Sequence, residues 1–199
     1  MSAALFITLA GGCAKTMTER VPFGSTVSVS VDFASNIDFS GSKYYFVVAS
    51  GSDYQIPLPS PKYEFVEPGI PPTDPQVDYF QYYDTWSGYV VVDAGMIYLV
   101  PGPFTSSGES YQRIPVGGPI PVGRNISFHF SVDQLFGSSP PDTLYFDIVS
   151  VASTHYIADH LDRSGVILKY EGMIASGSDE GGSCTNPSLD ILDWTVSIQ

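Results

Sequence analysis

The chain has 199 residues, with 8 Lys and Arg against 21 Asp and Glu and a net charge of −13. That balance argues against nucleic acid as a partner, because such binding rests on basic side chains that neutralise phosphates. It also argues against electrostatic attachment to anionic lipid, which needs clustered Lys and Arg. Charged residues make up 15% of the chain, against ~25% in a typical globular domain. Glycine, proline, serine and aromatics fill the difference, a balance that suits strands joined by turns. One domain is the default at this length, and such a domain buries roughly 70% of the surface that its unfolded chain exposes.

The first element is the apolar run Ala3 to Ala10, which ends in Gly11-Gly12-Cys13. It is shorter than the ~18 residues that a membrane-spanning helix needs. It has the length of a signal-peptide h-region followed by small residues. Leu9-Ala10-Gly11-Gly12-Cys13 resembles the lipobox of bacterial lipoproteins. Leu9 stands one place further from the cysteine than in that pattern, and no Lys or Arg precedes the run. The resemblance implies a signal peptide over 1–12, cleavage after Gly12, and a lipid on Cys13 as the covalent link to the membrane. Residues 13–24 are then the lipidated cysteine and a polar tether, and 25–199 a single folded domain. An unlipidated Cys13 leaves a Cys13–Cys184 disulfide open in an oxidising compartment.

Beyond the tether, Thr26 to Phe33 alternates, with Val27, Val29, Val31 and Phe33 on one side and Ser28, Ser30 and Asp32 on the other. Such a period of two predicts a strand with one wet face. Tyr44 to Val48 is a continuous apolar run and predicts a central strand. The seven prolines between Ile56 and Pro75 predict an ordered crossing loop rather than an inner strand, because each removes a backbone donor. Gly88 to Val92 and Met96 to Val100 predict a hairpin around Asp93-Ala94-Gly95. Tyr111 to Val116 is a candidate short strand. Asn125 to Val132 alternates again, and Asp133 to Phe136 predicts one helical turn. Thr143 to Ala152 changes apolar parity between Ile148 and Val149, which predicts burial on both faces or a bulge. Ser153 to Arg163 is the stretch assigned as a short helix, from the placing of Tyr156, Ile157 and Leu161. Gly165 to Ile174 predicts a strand, and the Gly/Ser-rich Ala175 to Ser183 a loop. The last strand shifts parity across Leu192-Asp193, predicting a bulge.

This count of about eight or nine short strands predicts an all-β fold. The expectation is an antiparallel two-sheet β-sandwich of immunoglobulin-like or jelly-roll type, with at most one short helix near 153–163.

Sites that carry chemistry are sparse. Gly-x-Ser-x-Gly is absent, and Ser87 lacks the strand–elbow–helix context of a hydrolase nucleophile. Cys184 has no basic neighbour in sequence to lower its pKa. His155, Asp159 and His160 are weak metal candidates, since histidines five apart do not share a helical face. Asp179 and Glu180 fall short of the six to eight oxygens that calcium takes. The expectation is therefore no enzyme, no cofactor and no metal. The aromatic group Tyr79, Tyr83, Trp86 and Tyr89 is the candidate contact with a protein or glycan partner, because flat amphipathic rings suit both. The reading that results is a non-enzymatic lipoprotein, exported and anchored to the bacterial envelope or cell surface, with a structural or protein-interaction role. A carbohydrate-binding module using 79–89 and a subunit of an extracellular fibre are its alternatives.

Overall fold

The alternating runs become the inner walls of two facing sheets. In the computed structural model, residues 22–53, 65, 67–70, 83–104, 110–182 and 184–199 are described. The signal-type run, Cys13, most of the proline-rich stretch and Tyr79 lie outside them. The described residues form eleven strands in two antiparallel sheets. The strands are β1 (Thr26–Phe33), β2 (Lys43–Ala49), β3 (Gly88–Asp93), β4 (Met96–Pro101), β5 (Ile114–Gly117), β6 (Asn125–Ser131), β7 (Thr143–Val151), β8 (Ile157–His160), β9 (Gly165–Leu168), β10 (Ile174–Ser178) and β11 (Ile191–Ile198). One helical turn, α1 (Asp133–Phe136), follows β6 where the sequence predicts it. Among the described residues no helix is long and apolar enough to cross a membrane.

One sheet has the order β10-β11-β1-β6 and the other β5-β4-β3-β2-β7-β8, with β9 on the free half of β7. Between them lies the main core. Val27, Val29, Val31 and Phe33 of β1 and Ile126, Phe128 and Phe130 of β6 face Tyr44, Phe46 and Val48 of β2 and Leu144, Phe146 and Ile148 of β7. The serines of β1 take the opposite, wet face, where Ser28, Ser30, Ser127, His129, Thr195 and Ser197 line a shallow open surface.

The larger sheet is buried on both faces. Tyr45, Val47, Tyr89, Val91, Val149 and Val151 form a second cluster on its outer side, under Phe65, Tyr83, Trp86 and Phe104. This explains the unbroken apolar runs in β2 and β3. It also explains the parity change in β7, where every residue from Phe146 to Val151 is buried. The β3–β4 turn has Ala94 and Gly95 at φ 50° and 78°, as a two-residue hairpin loop with both central residues left-handed requires. The bulge expected near Leu192 is present: Asp32 pairs with Asp193 and Phe33 with Ile191, so Leu192 is extra.

Two stretches differ from the sequence reading. Residues 153–163 are not helical. His155 takes φ 65° and donates its N–H to the Ala152 carbonyl, and β8 then runs back along β7. The helix-like placing of Tyr156, Ile157 and Leu161 hid this because Asp159, a charged residue, holds an inward position. Residues 174–178 are the edge strand β10 rather than loop. Gly177 there stands opposite Trp194, and a Cβ on it would come within 2.7 Å of the indole. The small residue serves a close approach rather than a turn.

Gly165 plays the same part for Phe146, with a virtual Cβ 2.1 Å from the ring. Phe146 also stacks on Phe46 at 5.2 Å and meets Trp194 at 5.4 Å. Gly165→Ala is therefore expected to lower stability by about 2 kcal/mol through forced displacement of that ring. Urea unfolding of the variant against the parent checks this.

Candidate functional site

Three of the four aromatic candidates are interior. Tyr83, Trp86 and Tyr89 are 4%, 3% and 2% exposed. Trp86 stacks on Phe65 at 6.2 Å and meets Tyr83, Tyr89 and Phe104 edge-on. These three rings bind the cover segments to the sheet and offer no flat face to a sugar or protein, which corrects the expected exposed face. Tyr79 lies outside the described residues.

Beneath this cover lies the main polar assembly of the domain. Glu67 is 4% exposed on the outer face of the larger sheet. Its Oε1 accepts from Lys43 Nζ at 2.9 Å and from the Tyr45 hydroxyl at 3.1 Å. Its Oε2 accepts from Arg113 Nη2 at 2.6 Å and from the Tyr89 hydroxyl at 3.1 Å. Asp93 closes the ring, meeting Lys43 at 3.2 Å and Arg113 at 3.1 Å. Two carboxylates face two cations, and each Glu67 oxygen has two donors. Burial works to raise the Glu67 pKa, but Lys43 and then Arg113 overcome it and hold the carboxyl below its usual range. Asp93 is also lowered against its burial, by the Arg113 hydrogen bond first and then by Lys43. Burial, reinforced by the Glu67 charge, pushes the Tyr45 and Tyr89 hydroxyls far up, so both remain neutral donors. The assembly is internally satisfied. Its physical effect is to fasten Glu67 and the described residues beside it onto β2 and β3, helped by the Phe65 N–H bonded to the His155 carbonyl.

A second buried acid stands alone. Asp147, on β7 opposite Val47, is 3% exposed and accepts from the Leu161 N–H at 3.3 Å. Burial outweighs its backbone donors and pushes its pKa up to about 8.

The weak metal candidates do not converge. His155 is an exposed turn residue, while Asp159 is buried and accepts from the Ile191 N–H at 2.7 Å. His160 Nδ1 is buried with no hydrogen-bond partner. Among the described residues no group of three or more His, Cys, Asp or Glu side chains is placed to hold a metal ion. Cys184 is a half-buried free thiol whose pKa is raised by burial.

Among the described residues, a cleft of about 350 Å³, equal in volume to the open surface over the β1 serines, lies at an open mouth between the sheets. The end of β8 and the connection that follows it, from His160 to Arg163, form one wall. The end of β10, with Gly177, Ser178 and Asp179, forms the other, and Ile191 and Trp194 line the space between. Trp194 packs against the main core on the same side as Val196 but is only half-buried, at the edge of the cleft. Neither the cleft nor the Glu67 ring has a local sequence signal. The residues that build each are far apart in the chain, and a single Trp at a strand end reads as core.

Comparison with protein-family models, with curated proteins and with solved structures finds no match. The class rests on the fold itself: an antiparallel two-sheet β-sandwich, with one ring of four charged side chains holding part of its outer cover in place.

Proposed function

We propose that this chain is a lipoprotein of the bacterial cell envelope, exported by the run ending at Gly12 and held by a lipid on Cys13. Its sandwich has a non-catalytic structural or protein-interaction role. The observation that carries the reading is how the chain leaves the tether. Pro22 and Gly24 bond across to Glu171 and Lys169, Phe23 stacks on Tyr170, and Lys169 Nζ lies 4.2 Å from the Phe23 ring. The next strand, β1, is interior to its sheet, paired along its length with β6 and β11. A pull from an upstream anchor is thereby shared by two ladders of hydrogen bonds and the main core. The net charge of −13 disfavours electrostatic attachment to anionic lipid, which fits a covalent anchor better.

Mass spectrometry of the protein recovered from membranes tests this. The expected product begins at Cys13 with the added mass of its acyl chains, and Cys13→Ser releases the protein into the soluble fraction. An intact Met1 or an unmodified Cys13 removes the anchor.

A further inference from the structure

We infer that the Trp194 cleft is a binding site for one neutral sugar unit. The inference goes beyond the anchored role above and holds whether or not Cys13 carries lipid.

The volume, about 350 Å³, sits at the small end of ligand pockets, so the site takes a single ring rather than a chain. Trp194 supplies an amphipathic surface with a fixed orientation. Phe146 meets it edge-on at 5.4 Å and 82°, and the bare backbone of Gly177 lies against it. A pyranose presents a face of C–H groups, which match the negative face of an indole. The rim supplies the complement. Asp162 and Arg163 stand exposed on the β8–β9 connection and Asp179 faces them from the end of β10. Among the described residues none of these three side chains enters an ion pair. That contrasts with Lys43, Asp93 and Arg113, which are spent on Glu67. Carboxylates accept from adjacent hydroxyls and a guanidinium donates to them in a planar fork. Two carboxylates against one cation, in a chain of net charge −13, select against acidic sugars.

The chain has two tryptophans, and the other, Trp86, is buried in the second cluster. The test is therefore a titration of the ¹⁵N-labelled full chain, read at its two indole N–H resonances. The probes are the methyl glycosides of glucose, galactose, mannose and N-acetylglucosamine, with methyl glucuronide as the acidic control. The expected result is that at least one neutral glycoside shifts the Trp194 resonance and leaves that of Trp86 in place. Arg163→Ala and Asp162→Asn change exposed loop side chains and should each weaken binding about tenfold or more, the loss of a charge-assisted hydrogen bond. Trp194→Ala, which removes that reporter and is therefore followed at the backbone amides of Gly177 and Asp179, should abolish it. Any one of three results overturns the inference: no neutral probe moving the Trp194 resonance, binding unchanged in both rim variants, or the glucuronide binding as tightly as the neutral glycosides.

Discussion

Replacing Asp147 by asparagine is expected to raise stability at pH 8 and to remove a decline that the parent shows between about pH 4 and pH 8. Asp147 is 3% exposed, and burial pushes its carboxyl up to about 8 from the ordinary aspartate value of 3.8. Over that interval the folded state keeps a proton that the unfolded chain has released. Stability therefore falls as pH rises through it, and levels off above the folded pKa. The effect is of order a few kcal/mol. Asparagine leaves an oxygen for the Leu161 N–H and has nothing to ionise. Near pH 4 the variant should match the parent or fall slightly below it, since its amide brings donors into an apolar place. At pH 8 its Tm should be about 5–10 °C higher. Urea unfolding of both proteins at pH 4, 6 and 8 decides the matter. Parallel pH profiles for the two would show that Asp147 ionises freely in the fold.

The sequence reading and the structure part company where a second layer comes in. Period two told which side of β1 and β6 was wet, because those strands have one covered face. The unbroken apolar run marked β2 as central, and the parity change in β7 left burial on both faces or a bulge, of which the structure shows the first. Neither signal could say what covers these strands, since the cover, Phe65, Tyr83, Trp86 and Phe104, lies on loops whose side chains have no periodicity. Hence Tyr83 and Trp86 read equally well as an exposed binding face. The Leu192 bulge and the Ala94-Gly95 turn were legible because each is a local event with a local signature. The Glu67 ring was not. Lys43, Glu67, Asp93 and Arg113 come from four separate stretches, and each alone looks like an ordinary surface charge. β8 and β10 were missed for a related reason. A buried Asp159 and a glycine fitted under Trp194 are polar and small residues in positions that composition assigns to surface and loop.

Glu67→Gln is expected to cost about 3 kcal/mol, the penalty for taking one partner out of a buried ion pair. Glutamine has the shape of glutamate but replaces two acceptors with one acceptor and an NH₂ donor. Whichever way the amide lies, it sets its donor against two of the existing donors: the Lys43 ammonium and Tyr45 hydroxyl, or the Arg113 guanidinium and Tyr89 hydroxyl. Asp93 then faces both cations alone, while two tyrosine hydroxyls under the cover lose strong acceptors. The loss should begin locally. The Phe65 N–H, bonded to the His155 carbonyl, should lose hydrogen-exchange protection before the amides of β2 and β3. The pH dependence has the opposite sign to that of Asp147. Because the Glu67 pKa is held below the ordinary glutamate value of 4.5, its contribution is whole above that value and is lost as pH falls through the folded pKa. The parent should therefore be most stable in mildly acidic solution, between the loss of the Glu67 ring on one side and the charging of Asp147 on the other. In Glu67→Gln the acid-side decline should shrink, and the Asp147 decline should remain. A variant as stable as the parent, with its Phe65 amide still protected, would mean that the ring does not fasten the cover.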